Sequence, residues 1–111
     1  MTDKEYLELA AKAMGYVPHH SYREKLNALL WISKSGFPST WGPFDDDKDA
    51  FRLAIDLNIN LTIMPWRIEA QALNQELVVE NVVNDNKHAA TRRAIVRAAA
   101  EIGKGMVANH V

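Results

Sequence analysis

The chain has no cysteine among its 111 residues. A disulfide framework, a thiolate zinc site and a cysteine nucleophile are therefore excluded. An excess of charge of either sign is also missing, because 13 Lys and Arg stand against 14 Asp and Glu. A net charge of -1 provides no global field toward nucleic acid or an anionic membrane, so any such binding has to be local.

Long hydrophobic runs are missing as well. No window approaches the ~20 apolar residues that a membrane span needs, and the charges among the first thirteen residues exclude the apolar core of a signal peptide. We therefore expect a cytoplasmic protein with no membrane partner. With 48% hydrophobic and 24% charged residues, the composition is that of a globular protein, and the length predicts one domain over 1–111.

Two helices are predicted in the first half of the chain. Thr2 and Glu5 have the spacing of a capping box, which predicts a helix from Asp3 to Met14. A second helix is capped by Asp45 or Asp46 and ends at Asn58 or Asn60. Its apolar positions fall at helical spacing, and they are Ala50, Phe51, Ala54 and Leu57.

A third helix is predicted near the end of the chain, after a cap at Asn84–Asn86. Mostly small residues form one stripe along it, and the alanines would let the helix lie close to its neighbour. The stripe consists of Ala90, Ala94, Ile95, Ala98, Ile102 and Met106. Gly103 and Gly105 are expected to end or fray this helix, with a loose tail over Val107–Val111.

The region between the first two helices is harder to interpret. Val17–Lys25 is polar without a clear period, which indicates a loop. Leu26–Lys34 suits either a helix or a short buried strand around Leu29–Ile32, and the strand is favoured. Gly36–Pro43 is expected to be a turn-rich connection.

A hairpin is predicted between the second and third helices. Leu61–Ala70 and Glu76–Val83 have strand patterns, and Asn74–Gln75 would close the turn between them. Pro65 cannot donate to a ladder, so the first of these strands should be an edge strand or be bulged. The order of elements predicts an α+β fold with a small, mostly antiparallel three-stranded sheet and three helices, similar to an α/β/α sandwich if helices cover both faces.

Three blocks of sequence carry a resemblance to a known family. They are Leu7–Gly15, Trp41–Leu57 and Ala90–Gly103. Together they resemble small, largely uncharacterised proteins of tailed bacteriophages and prophages. The resemblance spans most of the chain and implies an α/β/α sandwich, but the family has no assigned activity. His19–Lys34 matches nothing in it.

Two groups of polar residues suit a metal only in part. The first is the acidic run Asp45, Asp46, Asp47 and Asp49. Carboxylates suit Mg²⁺ or Ca²⁺, but the run lacks the alternating spacing, the Gly and the distal Glu of a calcium loop, so helix capping is favoured. The second group is the four histidines, whose spacing joins no ligand set. They are His19, His20, His88 and His110.

Two other groups are candidate binding surfaces. Arg92, Arg93 and Arg97 would form a basic face on the last helix, suited to phosphates, unless Arg97 pairs with Glu101 on a solvated surface. Aromatic residues near the turn, chiefly Trp41 and Phe44, would be a partner surface if exposed and core if not.

The resemblance, together with the missing catalytic groups, therefore favours a phage accessory protein that binds a host or phage macromolecule, with a host or phage protein as the expected partner, and that has no chemistry of its own. We expect no catalytic residues, metal or cofactor, because no nucleophile arrangement, carboxylate pair or phosphate-binding loop is recognisable. Inhibition of a bacterial defence system would fit such a role. A nucleic-acid-associated factor using Arg92, Arg93 and Arg97 is the alternative, a metal-dependent enzyme is the least favoured, and a homodimer is left open.

Overall fold

Helices and hairpins alternate along the chain. A computed structural model describes residues 1–32 and 38–108, and for 17–21, 31, 32, 38 and 108 it describes the backbone only. The helices are α1 (Asp3–Ala13), α2 (Asp47–Asp56) and α3 (Lys87–Ala108). The strands are β1 (Val17–Arg23), β2 (Ala28–Ile32), β3 (Pro38–Trp41), β4 (Asn60–Ile63), β5 (Arg67–Gln71) and β6 (Val78–Asn81).

The strands form two antiparallel sheets within the described ranges. Sheet A has the order β1-β2-β3 and sheet B the order β4-β5-β6. The predicted α+β class is confirmed. The expected single three-stranded sheet is wrong, because the described part of the chain contains two such sheets.

Sheet A arises where a loop and a connection were predicted. The interpretation of Val17–Lys25 as a loop is wrong, since β1 pairs with β2 around a one-turn 3₁₀ helix at Glu24–Leu26. The favoured strand at Leu29–Ile32 is confirmed as part of β2. The segment taken for a turn-rich connection contains β3, whereas Gly36 and Phe37 lie outside the described residues.

The pairing explains why polar residues form β1. Its register with β2 shifts between Pro18 and Ser21, so the backbone of His19 and His20 lies at an irregularity of the strand. Bulges of this kind break the period-2 pattern on which strand prediction depends. Pairing with β2, rather than a local apolar pattern, defines β1 as a strand.

Sheet B differs from the prediction at its first strand. Leu61–Ala70 is not one strand but two, β4 and β5, joined by a tight turn in which Met64 and Arg67 exchange backbone hydrogen bonds of 2.9 and 3.4 Å. Pro65 lies inside this turn, where its missing N–H costs nothing. The predicted turn at Asn74 is confirmed, and its φ of 62° lies in the left-handed region that Asn tolerates.

The predicted helix caps are confirmed. Thr2, Asp46 and Asn86 each accept a hydrogen bond from the amide three residues further on, at 3.2, 3.0 and 3.0 Å. These bonds satisfy amides that have no partner inside the helix. No helix of the described chain is long and apolar enough to cross a membrane.

The third helix does not stop at its glycines. It continues to Ala108, so the expectation that Gly103 and Gly105 end or fray it is wrong, and Val107 belongs to the helix rather than to a tail. Gly103 has a packing role: a Cβ at this position would lie 2.1 Å from the carbonyl oxygen of Leu9 in α1. Residues 109–111 of the expected tail lie outside the described ranges.

The core lies where α1 and α3 pack on each other. The close helix contact predicted from the alanines is confirmed, because Ala94, Ala98 and Ala99 of α3 are fully buried together with Ala10 and Ala11 of α1. Helix α1 also packs on β1 and β2, and α3 packs on β5, β6 and α2. The packed pair of α1 and α3 therefore joins the two sheets, α1 on sheet A and α3 on sheet B, and α3 borders the open region between α2 and β4.

Candidate binding groove

A groove of about 830 Å³ opens between α2, β4 and the first turns of α3. We call it the binding groove, and its lining is predominantly apolar. The apolar lining residues are Ala50, Phe51, Ala54, Leu61, Ile63 and Ile95. Its volume is within the range of roughly 300 to 1,000 Å³ that is typical of ligand-binding clefts.

The floor of the groove is the uncovered part of an interior sheet face. Leu61 lies opposite Ala70 and Ile63 opposite Ile68 in the β4–β5 ladder, and directly opposed residues share one face of a sheet. Ala70 and Ile68 are completely buried, whereas Leu61 is 36% and Ile63 57% exposed. Helix α3 covers this face of the sheet over β5, whereas the same face is open over β4.

The wall from α2 is apolar and exposed too. Phe51 was predicted on the buried face of this helix, but its side chain is 64% exposed and lines the groove. Leu53, which the predicted face omitted, is fully buried. The helix is therefore turned so that Phe51 faces the gap above β4 instead of the core.

Polar residues of the first turns of α2 and α3 form the rim. Asp47 accepts a hydrogen bond from Arg92 Nη1 at 2.7 Å, and its second oxygen lies 3.8 Å from His88 Nδ1. The hydrogen bond from Arg92 lowers the pKa of Asp47 below its ordinary value. Asp47 therefore stays ionised, and its negative charge is paired with the positive charge of Arg92.

Two lysines of the rim have no such partner. Lys48 and Lys87 line the groove, and no ion pair joins either of them to an acidic side chain in residues 1–32 and 38–108. Both stand in the first turn of a helix, where the backbone dipole adds positive potential. Lys48 and Lys87 are therefore lining residues that form no ion pair in the described chain, with Asp49 the carboxylate that acts electrostatically on Lys48, and they lie next to an apolar floor.

The structure places the two predicted aromatic residues in the core. Trp41 is 3% exposed and packs edge-on against Tyr16, with ring centroids 5.6 Å apart. Phe44 is buried as well, below the guanidinium of Arg93 at 5.3 Å from the ring centroid. Their burial favours the core alternative over a partner surface, and a binding role for either stays a prediction. Of the two tryptophans whose side chains the structure describes, Trp66 in the β4–β5 turn is the exposed one, at 69%.

The three predicted arginines are divided between two places. Arg92 reaches the binding groove, while its Nε donates to the carbonyl oxygen of Phe44 at 2.7 Å. Arg93 and Arg97 instead contact Glu80 of β6. Its carboxylate oxygen Oε2 lies 3.5 Å from Arg93 Nε and in close contact with Arg97 Nη1.

The partner of Arg97 is thus Glu80, not the expected Glu101, which pairs with Lys104 at 2.9 Å. Arg97 pairs with Glu80 instead of Glu101 because β6 passes beside this turn of α3. All three arginines have carboxylate partners in the described chain, so their charge is compensated locally. A contact with nucleic acid stays a prediction.

The acidic run serves the local structure of the turn. Asp46 caps α2, Asp47 bonds Arg92, and Asp49 Oδ2 accepts a hydrogen bond from Gly42 N–H at 3.0 Å. Partial burial raises the pKa of Asp49, an effect larger than the opposing effect of the Gly42 bond. The residues that the structure describes include no cluster of three or more metal-ligating side chains. His110 lies outside them.

Little in the sequence indicated the groove. Phe51 was interpreted as core because it falls at helical spacing with other apolar residues, and Leu61 and Ile63 fit any strand. Pro65 was read as the sign of an edge or bulged strand, and although it lies in the β4–β5 turn, β4 is at the edge of sheet B.

Compared with protein-family models, with curated proteins and with solved structures, the chain matches none.

Proposed function

We propose that the protein is a non-enzymatic accessory protein of a tailed bacteriophage or prophage, and that it acts in the bacterial cytoplasm by binding a host or phage protein in the groove. The phage assignment rests on the three resembling sequence blocks. The absence of chemistry of its own rests on the lack of a recognisable catalytic arrangement in the sequence. Inhibition of a host defence system is one role that such a binding protein would serve.

The observation that carries the proposal is the exposed interior face of β4. Leu61 and Ile63 extend the buried surface of β5, yet no described element covers them. Leaving large aliphatic side chains in water costs about 1.5–3 kcal/mol each relative to burial. Contiguous exposed apolar surface of this kind is typical of interaction sites.

Affinity capture with matched variants tests the proposal. The tagged protein is incubated with lysate of the bacterium that carries its gene, and retained proteins are identified by mass spectrometry. Phe51→Asp places a carboxylate in the groove, and Val83→Asp places one at an equally exposed site outside it. We expect a specific protein to be retained by the wild type and Val83→Asp and to be lost with Phe51→Asp. Equal retention by all three, or no retained protein, would contradict the proposal.

A further inference from the structure

The outer edge of β4 has backbone groups available for another strand. Met64 and Arg67 form a hydrogen-bonded pair at the end of the β4–β5 hairpin. Because hydrogen-bonded and non-hydrogen-bonded pairs alternate in an antiparallel ladder, Ile63 and Leu61 belong to non-hydrogen-bonded pairs. Their N–H and C=O groups therefore point away from β5, and β4 pairs with no second strand in the described chain.

This edge has few of the features that prevent strand addition. Natural edge strands are commonly protected by charged residues, by proline or by a covering element. The four residues Asn60–Ile63 carry no charge and no proline, and all four are exposed. Among the residues that the structure describes, shortness is the one protection this edge has, and the apolar groove lies directly beside it.

Resting on the function proposed above, we infer that the groove accepts an extended segment of the partner protein, which pairs with β4 as a fourth strand of sheet B. Alternate side chains of the segment would project over Leu61 and Ile63 toward Phe51. Acidic residues beside this apolar stretch would meet Lys48 and Lys87. Backbone pairing provides affinity in this mode, and the alternate side chains provide specificity.

Charge decides between an acidic partner segment and a second copy of the chain. Pairing of β4 with its own copy around a two-fold axis places the same rim on both sides of the contact. Each rim contributes Lys48 and Lys87, which form no ion pair in the described chain, and like charges brought together disfavour the pairing. An acidic segment is complementary to the same rim.

The free backbone groups decide between a peptide and an anionic amphiphile. The tail of an amphiphile would fill the apolar floor, and its head would meet the lysines. It would leave the N–H and C=O groups of Leu61 and Ile63 without a protein partner. An extended peptide uses the floor, the rim and the edge together.

Two synthetic peptides test the proposed recognition. The first, Asp-Ile-Thr-Val-Thr-Ile-Asp, carries alternating apolar residues between acidic ends, and the second has Lys at both ends. Both are blocked at their termini, and binding is measured by fluorescence anisotropy. We expect the acidic peptide to bind the wild type about tenfold more tightly than the basic one, as two screened ion pairs would give. Equal affinity, or no binding of the acidic peptide, overturns the inference.

A charge swap provides the matched control. The double variant Lys48→Glu/Lys87→Glu changes two exposed side chains and is expected to fold like the wild type, as circular dichroism would verify. It should prefer the basic peptide over the acidic one. A retained preference for the acidic peptide would show that the rim does not select the ligand and would overturn the inference.

Amide hydrogen exchange tests the strand pairing itself. The N–H groups of Leu61 and Ile63 should exchange quickly in the free protein and at least tenfold more slowly with the acidic peptide bound. The N–H of Thr62, already directed toward β5, serves as the internal reference. If bound peptide leaves Leu61 and Ile63 unprotected, strand addition is wrong. Loss of captured partner with Phe51→Asp would in that case still support the proposed function.

Discussion

Arg93 Nη1 donates a hydrogen bond of 3.0 Å to Asp3 Oδ1 and so joins α3 to the first turn of α1. The other oxygen of Asp3 accepts a bond of 2.9 Å from Asn27 Nδ2, next to sheet A. On the opposite side, Arg93 Nε lies 3.5 Å from Glu80 Oε2 in sheet B. The same face of α3 that was predicted to bind phosphates thus connects both sheets through carboxylates.

The shared carboxylate of Glu80 should make Arg93 and Arg97 energetically dependent on each other. Arg97 also donates to the carbonyl oxygen of Val79 at 3.0 Å. We expect Arg97→Met to lower the free energy of unfolding by about 1–3 kcal/mol, because it leaves the mostly buried Glu80 short of a donor. Urea denaturation measures this loss.

A double-mutant cycle isolates the contribution of the carboxylate. In the background of Glu80→Gln, the cost of Arg97→Met should fall by about 1 kcal/mol. An unchanged cost would mean that the pair contributes nothing beyond the packing of the arginine stem.

The close approach of α1 and α3 makes two glycines of α3 respond in opposite ways to the same substitution. Gly103→Ala places a methyl group against the backbone of Leu9, so we expect a loss of about 2 kcal/mol or more, as for an overpacked core. Gly105→Ala meets only the end of the Gln75 side chain, at 4.0 Å, and should gain up to about 1 kcal/mol from helix propensity. Thermal unfolding of the two variants distinguishes them. A tolerated Gly103→Ala would refute the close contact.

Asp47 and Asp49 should affect stability with opposite dependence on pH. The lowered pKa of Asp47 means that its contribution is present above the ordinary carboxyl pKa of 3.8 and is lost as the pH falls through the folded value. The raised pKa of Asp49 means that its contribution is present below 3.8 and is lost as the pH rises through the folded value.

Denaturant unfolding between pH 3 and pH 6 measures both effects. The stability advantage of the wild type over Asp47→Asn should shrink toward pH 3. Its advantage over Asp49→Asn should be greater at pH 3 than at pH 6. If both differences change in the same direction with pH, at least one of the two environments is described wrongly.

The tryptophans should differ in their contributions to stability. Trp41→Ala empties a buried site and is expected to cost about 3–5 kcal/mol. Trp66→Ala removes an exposed ring and should change the free energy of unfolding by less than about 0.5 kcal/mol. Iodide should quench the fluorescence of the Trp41→Ala protein more completely than that of Trp66→Ala. Similar quenching of both would contradict the burial of Trp41.

The elements that the sequence predicted well have local causes. Helices α1, α2 and α3 begin at Thr2, Asp46 and Asn86 because each side chain caps the amide three residues on, and this requires no distant partner. The hairpin turn at Asn74 is local in the same sense. Strand β2 was recognised because its apolar run is short and bounded by polar residues.

The elements that were missed depend on distant partners. Strand β1 has no apolar period and exists through its pairing with β2. The continuation of α3 beyond Gly103 is explained by the backbone of Leu9, more than ninety residues earlier in the chain. Arg97 selects Glu80 over Glu101 because the fold brings β6 beside α3. The groove was missed for the same reason, since whether Phe51 faces solvent depends on how α2 is placed over β4.

The central claim, that the partner occupies the groove between α2, β4 and α3, is tested most directly by cross-saturation NMR on the complex with the captured partner. The protein is deuterated and carries protonated methyl groups, and the partner is saturated. We predict the strongest attenuation at the methyl groups of Leu61 and Ile63, with none at the exposed Leu73 and Val83, which lie outside the groove. Attenuation at Leu73 or Val83 with the groove methyl groups unaffected would contradict the claim.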